Sequence, residues 1–175
     1  MKIDLFVLPE VMRRDFIEAF VLDREDFTIA HPDWAARWEK TRLGLDGWYR
    51  QAFLWEKLSP DIKTVDFATA LSLLRQREGR VLFMSESEQS GHDGGMILHG
   101  RVVYDYVAMV DGRELADLVE YEWDHGGLLF HEGKLTLPED LYVFDTSLQW
   151  VIIFTHEWGS RGKEPPARCC KVFGL

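Results

Sequence analysis

Long hydrophobic runs, cysteines and basic charge are all scarce in this 175-residue chain, and each scarcity removes a class of function. No stretch approaches the roughly 18 apolar residues that a membrane span requires. The opening "MKIDLFVLPE" is interrupted by Asp4 and closed by Pro9 and Glu10, which is not the pattern of a signal peptide. The expectation is a cytoplasmic protein that does not engage membranes. The only cysteines, Cys169 and Cys170, are adjacent, so in an extended segment they point to opposite faces and a disulfide between them is strained. They read as reduced thiols on small strand residues, with a vicinal redox switch as the alternative. Lys and Arg number 20 against 30 Asp and Glu, a formal net charge of -10. Phosphate backbones are held by clustered cations, so nucleic acid is not an expected partner. The same charge suits a basic protein partner, or a domain that needs only to stay dispersed.

Catalytic signatures are missing as well. There is no "GxxxxGK[ST]", so Gly91, Gly94, Gly95 and Gly100 lack the lysine and hydroxyl that make a nucleotide cradle. There is no "GxSxG" elbow. The "HE" pairs at His131 and His156 lack a second histidine four residues on, where Leu135 and Ser160 stand, so neither is a zinc helix. His92, His99, His125 and His131, with Asp93, Asp124 or Glu132, form a conceivable metal cluster, but no pair has ligand spacing. The expectation is therefore no metal, no cofactor and no catalytic residue, with a metal-dependent hydrolase as the alternative.

What is abundant is apolar and aromatic side chain: 46% of residues are hydrophobic and seven are Trp, enough for a filled core in one domain spanning residues 1–175. Pro9 starts a helix with Met12, Phe16, Ala19 and Phe20 at helical spacing, and Pro32 starts another. In "WYRQAFLWEKL" a single helix would set Trp48, Ala52 and Trp55 on one side, as core rather than as a ligand box. "DFATALSLLRQREG" is a helix ended by Gly79, followed by the strand "RVLFM". Asp111 caps a helix through "ELADLVEYEWDHGG" with Leu115, Leu118 and Val119 as its apolar stripe. The segment from Leu128 onward alternates apolar runs with turns, as antiparallel strands do. The predicted fold is α+β: a mostly antiparallel sheet of about five strands, helices largely on one side, and a helical N-terminal third.

"DTSLQWVIIFTHEW" should hold the central strand, with Trp150, Ile152, Phe154 and His156 on one face and Val151, Ile153, Thr155 and Glu157 on the other. His156 and Glu157 then point in opposite directions where cover ends. They are either a polar strand end or residues presented into a cleft. On the helix after Asp111, Glu114, Asp117, Glu120 and Asp124 align along one side, opposite much of the apolar stripe. This is either a solvated face or a surface for a basic protein, with Tyr121 and Trp123 as apolar anchors. The tail inverts the sign, carrying Arg161, Lys163, Arg168 and Lys171, and could dock onto that helix or onto a second copy of the chain in a homodimer.

"FATALSLLRQREGRVLFMSE", "ELADLVEYEW", "LPEDLYVFDTSLQWVIIFTHEW" and "RCC", over about residues 65 to 170, resemble a group of small bacterial proteins of unassigned function. The resemblance implies a shared α+β fold and carries no catalytic residue. Some acidic single-domain bacterial proteins that look similar in layout act as antidotes to secreted toxins, and that likeness implies a non-enzymatic, protein-binding role.

Overall fold

The structure, a computed structural model, describes residues 2–85, 96–98, 101–103, 106–124, 135–138, 140–155 and 170–175, giving only the backbone at 51, 96–98, 101–103, 123–124 and 135–136. The strands β3 (Arg80–Met84), β6 (Val107–Asp111), β8 (Leu141–Phe144) and β9 (Val151–Phe154) are apolar at nearly every position. A strand of that composition needs cover on both faces, and it has it. The sheet order is β1-β6-β3-β8-β9-β10-β2, with β1 (Asp4–Leu5), β2 (Lys63–Val65) and β10 (Cys170–Phe173) completing it, and every pairing is antiparallel. The α+β class and the central place of the β8–β9 hairpin are as predicted. The sheet has seven strands rather than about five. A second sheet of three short strands, β4 (Met96–Leu98), β5 (Arg101–Val103) and β7 (Leu135–Thr136), was not expected.

Strand alternation divides the core. Val81, Phe83, Ala108, Val110, Val143, Ile152 and Phe154 face α5 (Phe67–Arg75) and α6 (Gly112–Asp124). Leu82, Met84, Tyr142, Phe144, Val151 and Ile153 face Met12, Phe16 and Phe20 of α1 (Pro9–Phe20). Trp150, Ile152 and Phe154 thus lie opposite Val151 and Ile153, as the period-two reading requires. Helices cover both faces, a difference from the expected one-sided arrangement. The reason is physical: strands apolar on both sides leave neither face fit for water.

Local chemistry sets the helix ends. Asp66 Oδ1 accepts from the Thr69 amide at 2.6 Å and caps α5. That backbone hydrogen bond holds the Asp66 carboxyl below the ordinary carboxylate range. Asp23 caps α2 (Arg24–Ala30) in the same way through the Asp26 amide at 2.8 Å. Gly79 turns the chain from α5 into β3 with φ +80.

The long helix expected in "WYRQAFLWEKL" is broken. α4 (Gly44–Gln51) stops at Ala52, which is extended, and a 3-10 turn, Leu54–Glu56, follows after Phe53. Glu56 Oε2 accepts from the Phe53 amide at 2.9 Å and fixes the break. Trp48 then joins Phe27, Ala35 and Leu45 in a separate cluster of α2, α3 (Pro32–Glu39) and α4, while Trp55 packs against the sheet with α1. Both are buried, though not on one helix face. Lys57 ties the two units together: its Nζ donates to the Tyr49 carbonyl at 3.1 Å, and its carbonyl accepts from the Leu22 amide at 2.8 Å.

Candidate functional site

The face predicted on α6 begins at its cap. Asp111 Oδ1 accepts from the amides of Arg113 and Glu114 at 2.9 and 3.2 Å, which starts the helix and fixes its rotation. Leu115, Ala116, Leu118 and Val119 are buried against α5 and the sheet. Helical periodicity then turns Glu114 and Asp117 outward, with Glu120 half-buried and Tyr121 43% exposed. Three of the four predicted carboxylates therefore share the outer face. Asp124 closes the helix, and its side chain, like that of Trp123, lies outside the described residues.

Two features reduce the charge expected there. Arg75 of α5 donates to Glu120 and stands 3.6 Å from Asp117, so one cation from the neighbouring helix answers two carboxylates. Its guanidinium pKa is raised chiefly by the hydrogen bond to Glu120. Glu122 faces inward instead: it is buried, and its Oε1 accepts from the Leu137 amide at 2.8 Å, tying α6 to the segment that leads into β8. A charge count along the helix could see neither effect. The tail does not dock onto α6 through Lys171, which alternates with Cys170 and Val172 and lies over the Trp55 ring on the opposite side of the sheet. Arg161, Lys163 and Arg168 lie outside the described residues. The Cys170 side chain is buried in the α5–α6 core, and Cys169 is outside the described residues.

The second predicted region is the end of β9. Thr155 is still buried, so cover extends one residue past Phe154. His156 and Glu157 follow and lie outside the described residues, as do His92, Asp93, His99, His125, His131 and Glu132. Among the described residues no group of three or more His, Cys, Asp or Glu could hold a metal ion, and no helix is long and apolar enough to cross a membrane.

Antiparallel register brings one end of several strands together, and it carries polar residues of which sequence reasoning named only Thr155. Ser85 follows β3, Tyr106 precedes β6, Asp140 precedes β8 and Thr155 follows β9, and all four are buried. Arg13 enters from α1, buried, with a guanidinium nitrogen donating to the Ser85 carbonyl at 3.0 Å. Burial pushes the Tyr106 phenol well above its ordinary value; the neighbouring Ser85 side chain and the charge of Arg13 partly oppose this, and Glu122 adds to it. Tyr106 is thus a neutral phenol between charges of opposite sign. The signal in sequence was slight: a polar residue next to an apolar strand marks a strand end, but not that the end is buried.

No family model, no curated protein and no solved structure matches this chain.

Proposed function

We propose that this chain is a non-enzymatic binding domain whose α6 outer face docks a basic protein partner. Its most concrete form is an antidote that covers the basic active site of a secreted toxin. The observation that supports it is Tyr121, a large aromatic side chain left 43% exposed on the helix face that carries Glu114, Asp117 and Glu120. Exposed aromatics supply the apolar anchors of protein interfaces, and a rim of carboxylates steers a cationic partner into place. Arg75 offsets part of that field, so steering is modest and Tyr121 carries the affinity. The likeness in layout to acidic bacterial antidotes points the same way.

The test is a pull-down from the native host using three proteins: the wild type, the triple reversal Glu114→Lys/Asp117→Lys/Glu120→Lys, and a control reversal on α1, Glu10→Lys/Glu18→Lys. The wild type and the α1 control should retain a basic protein that the α6 variant loses, with retention weakening as salt screens the charges over about 10 Å at 0.1 M. Recovery of the same proteins by all three would leave the face as solvated surface and overturn the proposal.

A further inference from the structure

We infer that the β1 edge of the sheet pairs with the same edge of a second copy of this chain, giving a two-fold dimer whose sheet runs through both. Among the described residues β1 has a neighbour on one side only, β6. The pairing of Asp4 with Met109, and the bond from the Phe6 amide to the Val107 carbonyl at 2.7 Å, fix the phase of that ladder. Antiparallel strands alternate, so Asp4 and Phe6 turn their backbone groups towards β6 and Leu5 turns its N–H and C=O outward. The same alternation puts those of Ile3 on the outer edge. Open donors and acceptors of this kind are a template for another strand. Apolar side chain left in water adjoins them: Leu5 is 47% exposed and Val7 89%, and Leu8 is exposed as well.

Charge selects which strand is admitted. Lys2 and Asp4 lie on one face of the strand, with Lys2 Nζ 3.3 Å from the Asp4 carboxylate and its side chain 84% exposed. Arg80 of β3 holds the same carboxylate at 2.6 Å, and Asp111 of β6 pairs across from Arg80. Two cations and two carboxylates thus bring no net charge to the seam, and a copy brings the same.

Three two-fold registers are open to so short an edge. One centred on Asp4 sets two carboxylates opposite each other, which is unfavourable. One centred on Leu5 draws in Val7 and Leu8, where the chain has left the strand to start α1. One centred on Ile3 joins the outward groups of the two Ile3 residues and sets Lys2 of each copy opposite Asp4 of the other, about 4.5–5.5 Å apart at Cβ. Each Lys2 then stands between two carboxylates, and no bridge within either copy has to break. Charges on an edge reject most strands; here they admit a copy in one register. The result is a closed pair with the same patch on both sides, the commonest oligomeric symmetry.

Sedimentation velocity on the full-length chain at low salt, from about 10 μM to 1 mM, tests this, since a small interface gives weak association. The dimer fraction should rise with protein concentration and fall as salt screens the seam. Lys2→Asp and Asp4→Lys should each weaken the dimer about tenfold or more, a difference of about 1.4 kcal/mol. An equimolar mixture of the two should restore it as a heterodimer, seen by native mass spectrometry, because one chain then carries both carboxylates and the other both ammonium groups. Leu5→Pro removes an N–H that points away from β6, so it should abolish the dimer and leave the thermal midpoint by circular dichroism unchanged. If that midpoint falls, the charge-reversal mixture still decides. Three results would overturn the assignment: a wild type monomeric throughout the range, a dimer that persists in folded Leu5→Pro, or a mixture no more dimeric than its components.

Discussion

Replacing Trp150 separates what burial contributes at the β8–β9 hairpin from what hydrogen bonding contributes. The indole is 7% exposed in the α5–α6 core, its Nε1 donates to Asp145 Oδ2 at 2.7 Å, and the Arg77 guanidinium stands 5.2 Å from its ring. Trp150→Ala removes all three and should cost about 3 to 5 kcal/mol, the range for buried aromatic-to-alanine changes. Trp150→Phe keeps a ring in the core and loses the hydrogen bond, about 1 kcal/mol. Asp145 is only half-buried, so its orphaned oxygen meets water and adds little desolvation cost. Urea denaturation followed by far-ultraviolet circular dichroism measures both, as shifts in midpoint at constant slope. A cost below about 1 kcal/mol for Trp150→Ala would refute the placement of the indole in the core. Equal costs for the two variants would mean that the hydrogen bond, not the buried surface, holds the hairpin.

Gly174 and Gly79 make a second pair: both have positive φ, but a Cβ at Gly174 would lie 2.0 Å from the Gln149 carbonyl oxygen, while nothing lies within 4 Å at Gly79. Gly79→Ala should cost only the left-handed penalty of about 1 to 2 kcal/mol, and Gly174→Ala clearly more in the same urea assay; equal costs would contradict the packing. Burial raises the Tyr106 phenol above its ordinary value of 10.0, so its contribution to stability is fully present below about pH 10 and is lost as pH rises through the raised value. Tyr106→Phe should therefore give a shallower alkaline limb in denaturation midpoints against pH, and a limb parallel to wild type would refute this. Arg75→Ala unmasks Asp117 and Glu120 and should speed association with a basic partner at low salt, measured by stopped flow; a slower or unchanged rate would count against steering by α6.

Elements written in local periodicity were legible in the sequence. Pro9 and Met12, Phe16 and Phe20 marked α1, Asp111 marked the start of α6, and the alternation from Trp150 to Phe154 assigned each side chain to its face. Features made by distant partners were not. The three residues of β2 carry no strand pattern and are extended because β10 pairs with them. Ala52 and Phe53 read as helix until the Glu56 side chain competes for the Phe53 amide. On α6, the alignment of Glu114, Asp117 and Glu120 followed from spacing alone, but the inward turn of Glu122 depends on Leu137 and the partial neutralisation depends on Arg75 of another helix. Arg13 and Tyr106 come together only in three dimensions.

The position of β10 between β9 and β2 also fixes an order of events during synthesis. Val65 pairs with Cys170, so β2 can find no place in the sheet until the ribosome has made all of the residues between them. Until then β9, apolar on both faces, presents an open edge where β10 will sit. Closure across such a long loop is slow, and an uncovered apolar strand invites pairing with other chains. Until β10 and β2 have docked, the β9 side of the sheet is therefore the edge most open to aggregation, and a chaperone that shields it at that stage would raise the yield of folded protein.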